Sequence, residues 1–152
     1  PFAWHGVEVD AYARYWNGMT RAAYGRAWAA RYEGCHYHAT TLMALTGEYD
    51  VIVWFLPFLF EDTLSAYGLP RRYFDPQGLL IQAYALLRPG GTLLIINQGA
   101  AEHEEQQRLC RVADIPWAAG SAISSTFSPF KRPRFALRIV KPLGYDGKAS
   151  LE

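Results

Sequence analysis

Leu86-Leu87-Arg88-Pro89-Gly90-Gly91-Thr92-Leu93-Leu94-Ile95-Ile96 is the stretch that decides the fold. Just upstream, Leu79, Leu80, Ala83, Leu86 and Leu87 recur at helical spacing and form one apolar face. Pro89 cannot continue a helix, and Gly90 or Gly91 can take the positive φ on which many helices end. Thr92 to Ile96 is then almost wholly apolar, the pattern of a parallel strand covered on both faces. A helix that turns so abruptly into a buried strand is a joint of a doubly wound α/β sheet. The joint defines architecture and leaves the chemistry open.

Working outward, Tyr49-Asp50-Val51-Ile52-Val53-Trp54-Phe55-Leu56-Pro57 is a second short apolar run, led by an acid. Asp75-Pro76 reads as a helix start, because Asp accepts from free N–H groups and Pro fits the first turn. That helix is expected to reach about Leu87. A strand is expected over Phe2–Val9, and a helix from Asp10, its candidate cap, to about Arg31 with Gly18 and Gly25 weakening its middle. A strand over 33–40, a short helix or turn over 41–46, and a short helix with Asp62 as its candidate cap follow. Ala101–Ala113 reads as a helix with Glu102, Glu104 and Glu105 at its start and Arg108 and Arg111 near its end, an order that suits the helix dipole. Strands are expected over Trp117–Phe127 and Arg134–Val140, with a loop from Ser128 to Pro133. The fold class is α/β: Rossmann-like, mostly parallel, with a closing antiparallel strand pair.

"EYDVIVWFLPF", a helix, and then "LLRPGGTLLIINQ" together resemble the second half of class I S-adenosylmethionine-dependent methyltransferases. That family has an F/Y-D-hydrophobic strand, a helix and an L-x-P-G-G-x-L strand in this order. "WHGVEVD", Trp4 to Asp10, then resembles the family's second strand. The resemblance spans Trp4 to about Pro142. The family's first strand ends in a G-x-G-x-G loop, and the glycines of this sequence make no such pattern. The resemblance places that strand between the second and fourth, where open backbone groups are costly. The expectation is therefore an N-terminally incomplete domain over residues 1–150, or a gap filled by a rearranged strand or a second chain. Leu151-Glu152 reads as a cloning remnant.

Composition fits one folded domain. Of 152 residues, 51% are hydrophobic and 15% aromatic, which argues against disorder. A net charge of +1 makes no general case for nucleic acid or a membrane surface as partner. No secretory leader and no membrane-length apolar run is visible, so the cytoplasm is the expected compartment. Cys35 and Cys110 match no metal or redox spacing and read as reduced packing residues. No G-x-S-x-G elbow is present, and methyl transfer needs no nucleophilic residue, only alignment of the acceptor with an activated sulfonium.

The candidate site residues follow from strand ends. The resemblance implies that Glu8, at the carboxyl end of its strand, accepts from both ribose hydroxyls of S-adenosylmethionine, with Asp10 as a second choice. His38-Ala39 falls where the family often carries an acid and a small residue at the adenine. Here a neutral imidazole is the available acceptor. Trp54 is expected to wall the cofactor, and Phe55, Pro57 and Phe58 the methyl acceptor. Family members that methylate amino nitrogens of nucleic acids carry an acid or Asn before Pro-Pro-aromatic. Only Pro57-Phe58 matches that pattern. Asn97 and Gln98 close the Pro-Gly-Gly strand and are candidate acceptor contacts. His36 and His38 share a strand face without an evident third ligand, so no metal is expected. Lys131, Arg132, Arg134 and Arg138, with Phe130 and Phe135, make a basic–aromatic run read as a solvated hairpin tip. The reading is a methyltransferase with an unknown acceptor. The alternative is a non-catalytic module of the same fold that binds a partner or pairs with a second copy.

Overall fold

The computed structural model describes residues 2–124 and 131–144, and the chain forms two compact units, Pro1–Leu45 and Thr46–Glu152. In the first, β1 (Trp4–Val7) and β2 (Cys35–His38) pair in parallel, with Trp4 opposite Cys35 and Val7 opposite His38. The expected helix from Asp10 to Arg31 is much shorter: α1 covers Arg21–Ala29 only. Local polar chemistry stops it from starting earlier. Asn17 Oδ1 accepts from the Met19 N–H, Gly18 turns the chain at φ +80°, and Arg14 bridges antiparallel to Thr20. Thr20 Oγ1 then accepts from the Ala23 N–H at 3.0 Å, so Thr20 and not Asp10 caps the helix. Gly25 is a close packing contact. A Cβ there would stand 2.3 Å from the Tyr37 ring, so α1 approaches β2 as only glycine permits.

The second unit is a four-stranded sheet with helices. In chain order it runs β3 (Tyr49–Phe55), α2 (Glu61–Ala66), α3 (Pro76–Ala85), β4 (Leu87–Gln98), α4 (Gly99–Val112), β5 (Ala118–Ile123) and β6 (Arg134–Val140). The spatial order is β3-β4-β6-β5, with β3 parallel to β4 and β6 antiparallel to both neighbours. The mostly parallel α/β architecture and its closing antiparallel pair are both present. Asp75 caps α3 as its sequence predicts, accepting from the Gly78 N–H at 2.8 Å, with Pro76 in the first position. Asp62 instead lies inside the first turn of α2, whose cap is Phe60. The expected strand over Trp117–Phe127 is shorter at both ends, since β5 starts at Ala118 and stops at Ile123 with Ser124 beyond it, and residues 125–127, like 128–130 of the loop and Leu151-Glu152, lie outside the described residues.

The Pro-Gly-Gly segment is not the end of a helix. α3 finishes on Leu86 in ordinary right-handed geometry, and β4 begins at once. Tyr49 faces Leu87 while Val51 faces Thr92, so Arg88–Gly91 form a bulge within the strand. Gly90 has φ +80°, and a Cβ on Gly91 would meet the carbonyl oxygens of Arg88 at 2.8 Å and Tyr49 at 3.0 Å. Lys141 locks the bulge: its backbone carbonyl accepts from the Gly90 N–H at 2.8 Å, and its N–H donates to the Gly91 carbonyl at 3.0 Å. Its buried Nζ donates to the carbonyls of Ala85 and Leu87, satisfying groups that the end of α3 would leave open.

Leu80, Leu87, Leu93, Ile95, Leu137 and Ile139 are fully buried and form the centre of this unit. Leu93 opposes Ile139 and Ile95 opposes Leu137 on one face of the sheet. Thr92 and Leu94 on the other face are only half-buried, so β4 is not sealed on both sides as its apolar run suggests. β3 has β4 as its one strand partner among the described residues, and its Val51 and Phe55 are 61% and 70% exposed. No helix among the described residues is long and apolar enough to cross a membrane.

Candidate functional site

The first unit offers a carboxylate cluster beyond β1. The ladder extends one residue past the strand, with the Glu8 N–H donating to the His38 carbonyl at 3.1 Å. Glu8 Oε1 accepts from the Asp10 N–H at 2.8 Å, which folds the acid back over its own loop. Arg21, the first residue of α1, lies 3.2 Å from Asp10 Oδ2 and 3.5 Å from Glu8 Oε2. The cap on Thr20 fixes where α1 begins and so where this guanidinium stands. Each carboxylate oxygen carries two acceptor positions, and Glu8 is partly exposed, so it retains capacity for a ligand hydroxyl. His38 and Ala39 follow at the end of β2, both half-buried. His38 Nε2 lies 2.9 Å from His5 Nδ1, a hydrogen bond in which one neutral ring donates and the other accepts. Burial, then the neighbouring His36 and His38, hold the His5 pKa below the usual imidazole range.

In the second unit, the carboxyl end of β3 is strained. Leu56 adopts φ +51°, unusual for a residue with a branched side chain, while its N–H donates to the Ile96 carbonyl at 2.9 Å. Pro57 is buried, and Phe58 meets Tyr67 edge-on at 5.3 Å. Trp54 is half-buried opposite Ile95. Phe55 is one of the most exposed aromatic side chains of this unit. At the end of β4, Asn97 continues the face of Leu93 and Ile95 and is fully buried. Its Oδ1 lies 3.4 Å from His103 Nδ1, and its Nδ2 has no hydrogen-bond partner. Gln106, one turn along α4, is also fully buried, with both amide atoms unpartnered. Gln98 Oε1 accepts from Arg134, and its N–H donates to Glu102 Oε2 at 2.7 Å. Glu102 therefore serves the helix start. His103 stacks on Phe135 at 5.1 Å, and burial pushes its pKa down.

Sequence position thus brings Glu8, Asp10 and His38-Ala39 to one edge of the first unit, and Leu56–Phe58 and Gln98 to strand ends of the second. Asn97 turns into the core. Arg21, His5 and the strained Leu56 escape sequence reasoning, since their significance depends on register and backbone angle. Both cysteines are free. Burial pushes the Cys110 thiol up to about 11, which removes it as a nucleophile at neutral pH. No group of three or more His, Cys, Asp or Glu among the described residues closes around a metal.

Parallel strands, a last strand inserted antiparallel between β4 and β5, and flanking helices make up the fold of the class I S-adenosylmethionine-dependent methyltransferases. Solved structures of that class superpose over nearly the whole chain. The N-methyltransferase NodS from Bradyrhizobium japonicum WM9, in complex with S-adenosyl-l-homocysteine, is 15% identical, with 92% of this chain and 67% of that chain covered and a TM-score of 0.57. Magnesium protoporphyrin IX methyltransferase (ChlM) from Synechocystis PCC 6803 with bound SAM is 12% identical, with 91% and 59% covered and a TM-score of 0.55. An rRNA methylase from Streptococcus thermophilus is 12% identical, with 92% and 74% covered and a TM-score of 0.51. At identities this low the likeness shows the fold alone. No protein-family model matches the sequence, and no curated protein matches it either.

Proposed function

We propose that this chain belongs to an S-adenosylmethionine-dependent methyltransferase domain. The first unit supplies the nucleoside side, with Glu8 accepting from the ribose hydroxyls, Asp10 beside it, and His38-Ala39 at the adenine. Trp54 is a wall of the cofactor site. Phe55, Pro57, Phe58 and Gln98 contact the acceptor, and buried Asn97 holds that end of β4 through His103.

The observations that support this reading are the strand order β3-β4-β6-β5 of the second unit and, in the first, a parallel β1–β2 pair that ends in an acid. Solved proteins that share the fold hold S-adenosyl-l-homocysteine or SAM. The bound cofactor supplies the sulfonium methyl. The task of these residues is to orient it and its acceptor and to exclude water. The acceptor differs widely among the solved proteins of this fold, so the fold does not define it here.

Saturation-transfer NMR with adenosine and with S-adenosylhomocysteine tests the nucleoside half-site on the chain as it stands. Saturation is expected on the ribose and adenine protons, and Glu8→Gln should diminish the ribose signal most. A folded chain that transfers no saturation to either ligand at millimolar concentration overturns the reading.

A further inference from the structure

The net charge of +1 is an average over uneven parts of the chain. Residues 11–32 hold Arg14, Arg21, Arg26 and Arg31 but no Lys, Asp or Glu. The same stretch carries six aromatic residues, Tyr12, Tyr15, Trp16, Tyr24, Trp28 and Tyr32, and no Leu, Ile, Val or Phe. All six rings are exposed. Of the four guanidiniums, only Arg21 meets a carboxylate among the described residues, and it is held between Glu8 and Asp10. Arg14, Arg26 and Arg31 face solvent.

Local structure gathers these groups into a strip. α1 turns its small residues inward, with Ala22 buried and Gly25 against Tyr37, and presents Tyr24 and Trp28, one turn apart, to solvent. The Arg31 guanidinium lies over the Trp28 ring, 4.8 Å from its centroid. Tyr15, on the turn before the helix, meets Tyr24 edge-on at 5.5 Å. Arg14 Nη1 fixes that turn by donating to the Gly18 carbonyl at 2.7 Å, and Trp16 stands on it at 99% exposure.

We propose that this strip binds single-stranded nucleic acid, with bases on the rings of Tyr15, Tyr24 and Trp28 and phosphates on Arg14, Arg26 and Arg31. Every base has a π-face that an aromatic ring can accept, and a guanidinium pairs bidentately with phosphate. A run of cations without a single acid complements a polyanion.

Other partners fit less well. A duplex keeps its base faces stacked inside, so the rings would find nothing to hold. Insertion into a lipid surface draws on apolar bulk such as Leu and Phe, and residues 11–32 have neither. An acidic peptide would satisfy the arginines but leave the rings without a planar partner.

Binding here does not depend on methyl transfer, and its test needs no cofactor. Fluorescence anisotropy follows labelled oligouridine and oligothymidine of about 12 nucleotides mixed with the full chain at low salt. Both should bind, since stacking and phosphate contacts use no 2′-hydroxyl. An abasic strand of the same length should bind about tenfold more weakly, and so should a duplex. The logarithm of the affinity should fall with the logarithm of salt at a slope of about −2, as expected for about three phosphate contacts on a single strand. Trp28→Ala should weaken binding about tenfold and Trp28→Phe by less than about threefold. Arg31→Gln should flatten the salt slope by about 0.7, while Arg72→Gln, in the other unit, should change neither quantity. The abasic comparison uses the wild-type chain and stands even if a variant misfolds. No binding at low salt, equal affinity for the abasic strand or the duplex, or preference for phosphatidylglycerol vesicles over both oligomers in competition overturns the assignment.

Discussion

The two units of this chain are built on different physics. The Thr46–Glu152 unit centres on Leu93, Ile95, Leu137 and Ile139, each fully buried and paired across strands. In the Pro1–Leu45 unit only Ala11 and Ala22 are buried among the described residues, while Trp4 and Trp16 are 67% and 99% exposed. Polar devices hold it instead: the Thr20 cap, the Asn17 turn, and Arg21 between Glu8 and Asp10. Net worth per polar contact is about 1 kcal/mol, against about 1.5–3 kcal/mol for burying one large apolar side chain. The proposed cofactor acid therefore sits on the less rigid of the two foundations.

The largest expected effect tests that contrast directly. Ile95→Ala should cost about 3–4 kcal/mol in denaturant unfolding, because a filled centre cannot collapse around the void. Trp16→Ala should cost less than about 0.5 kcal/mol. Comparable losses would show that the exposed tryptophan is packed in solution. Gly91→Ala comes next, at about 2 kcal/mol, since its methyl has backbone carbonyls and not movable side chains as neighbours.

Hydrogen exchange sharpens the comparison without mutation. Amides of β1 and β2 should exchange well before those of β4 and β6, and uniform protection would refute the two-foundation view. Acidity should act selectively on the larger unit through His103. Its folded pKa lies below the ordinary 6.5, so above pH 6.5 it contributes nothing to the pH dependence. As pH falls below 6.5, the unfolded chain takes up a proton that the folded chain refuses, and stability declines until the depressed folded value is passed. His103→Gln should flatten that part of the profile. The smallest effect is Arg21→Gln, at most about 1 kcal/mol in stability. Its clearer readout is a change in the ribose saturation signal with the helix content unchanged.

How much was legible in the sequence depended on the range of the signal. The start of α3 at Asp75-Pro76 and the strand Arg134–Val140 were readable, because cap chemistry and apolar runs are local. The Pro-Gly-Gly segment looked like a helix stop, because the partner that makes it a strand bulge, Lys141, is some fifty residues away. Asn17-Gly18 was overlooked inside an Ala- and Arg-rich stretch whose composition favours helix. For the candidate site, the position of Glu8 at a strand end was legible. The neighbour His5 was not, since it meets His38 only through the register of two parallel strands. The burial of Asn97 could have been read from its spacing with Leu93 and Ile95.

β6 carries a consequence for synthesis. It is the last of the described strands, yet it lies inside the sheet between β4 and β5. On the ribosome, β4 therefore waits with one edge unclosed, and β5 has no partner, until residues 134–140 leave the exit tunnel. Lys141, next to emerge, both fastens the bulge and covers the end of α3. The nascent chain can gather its helices early, but the larger unit closes in a single late step, and any pause before residue 134 prolongs the time its central strand stands open to other chains.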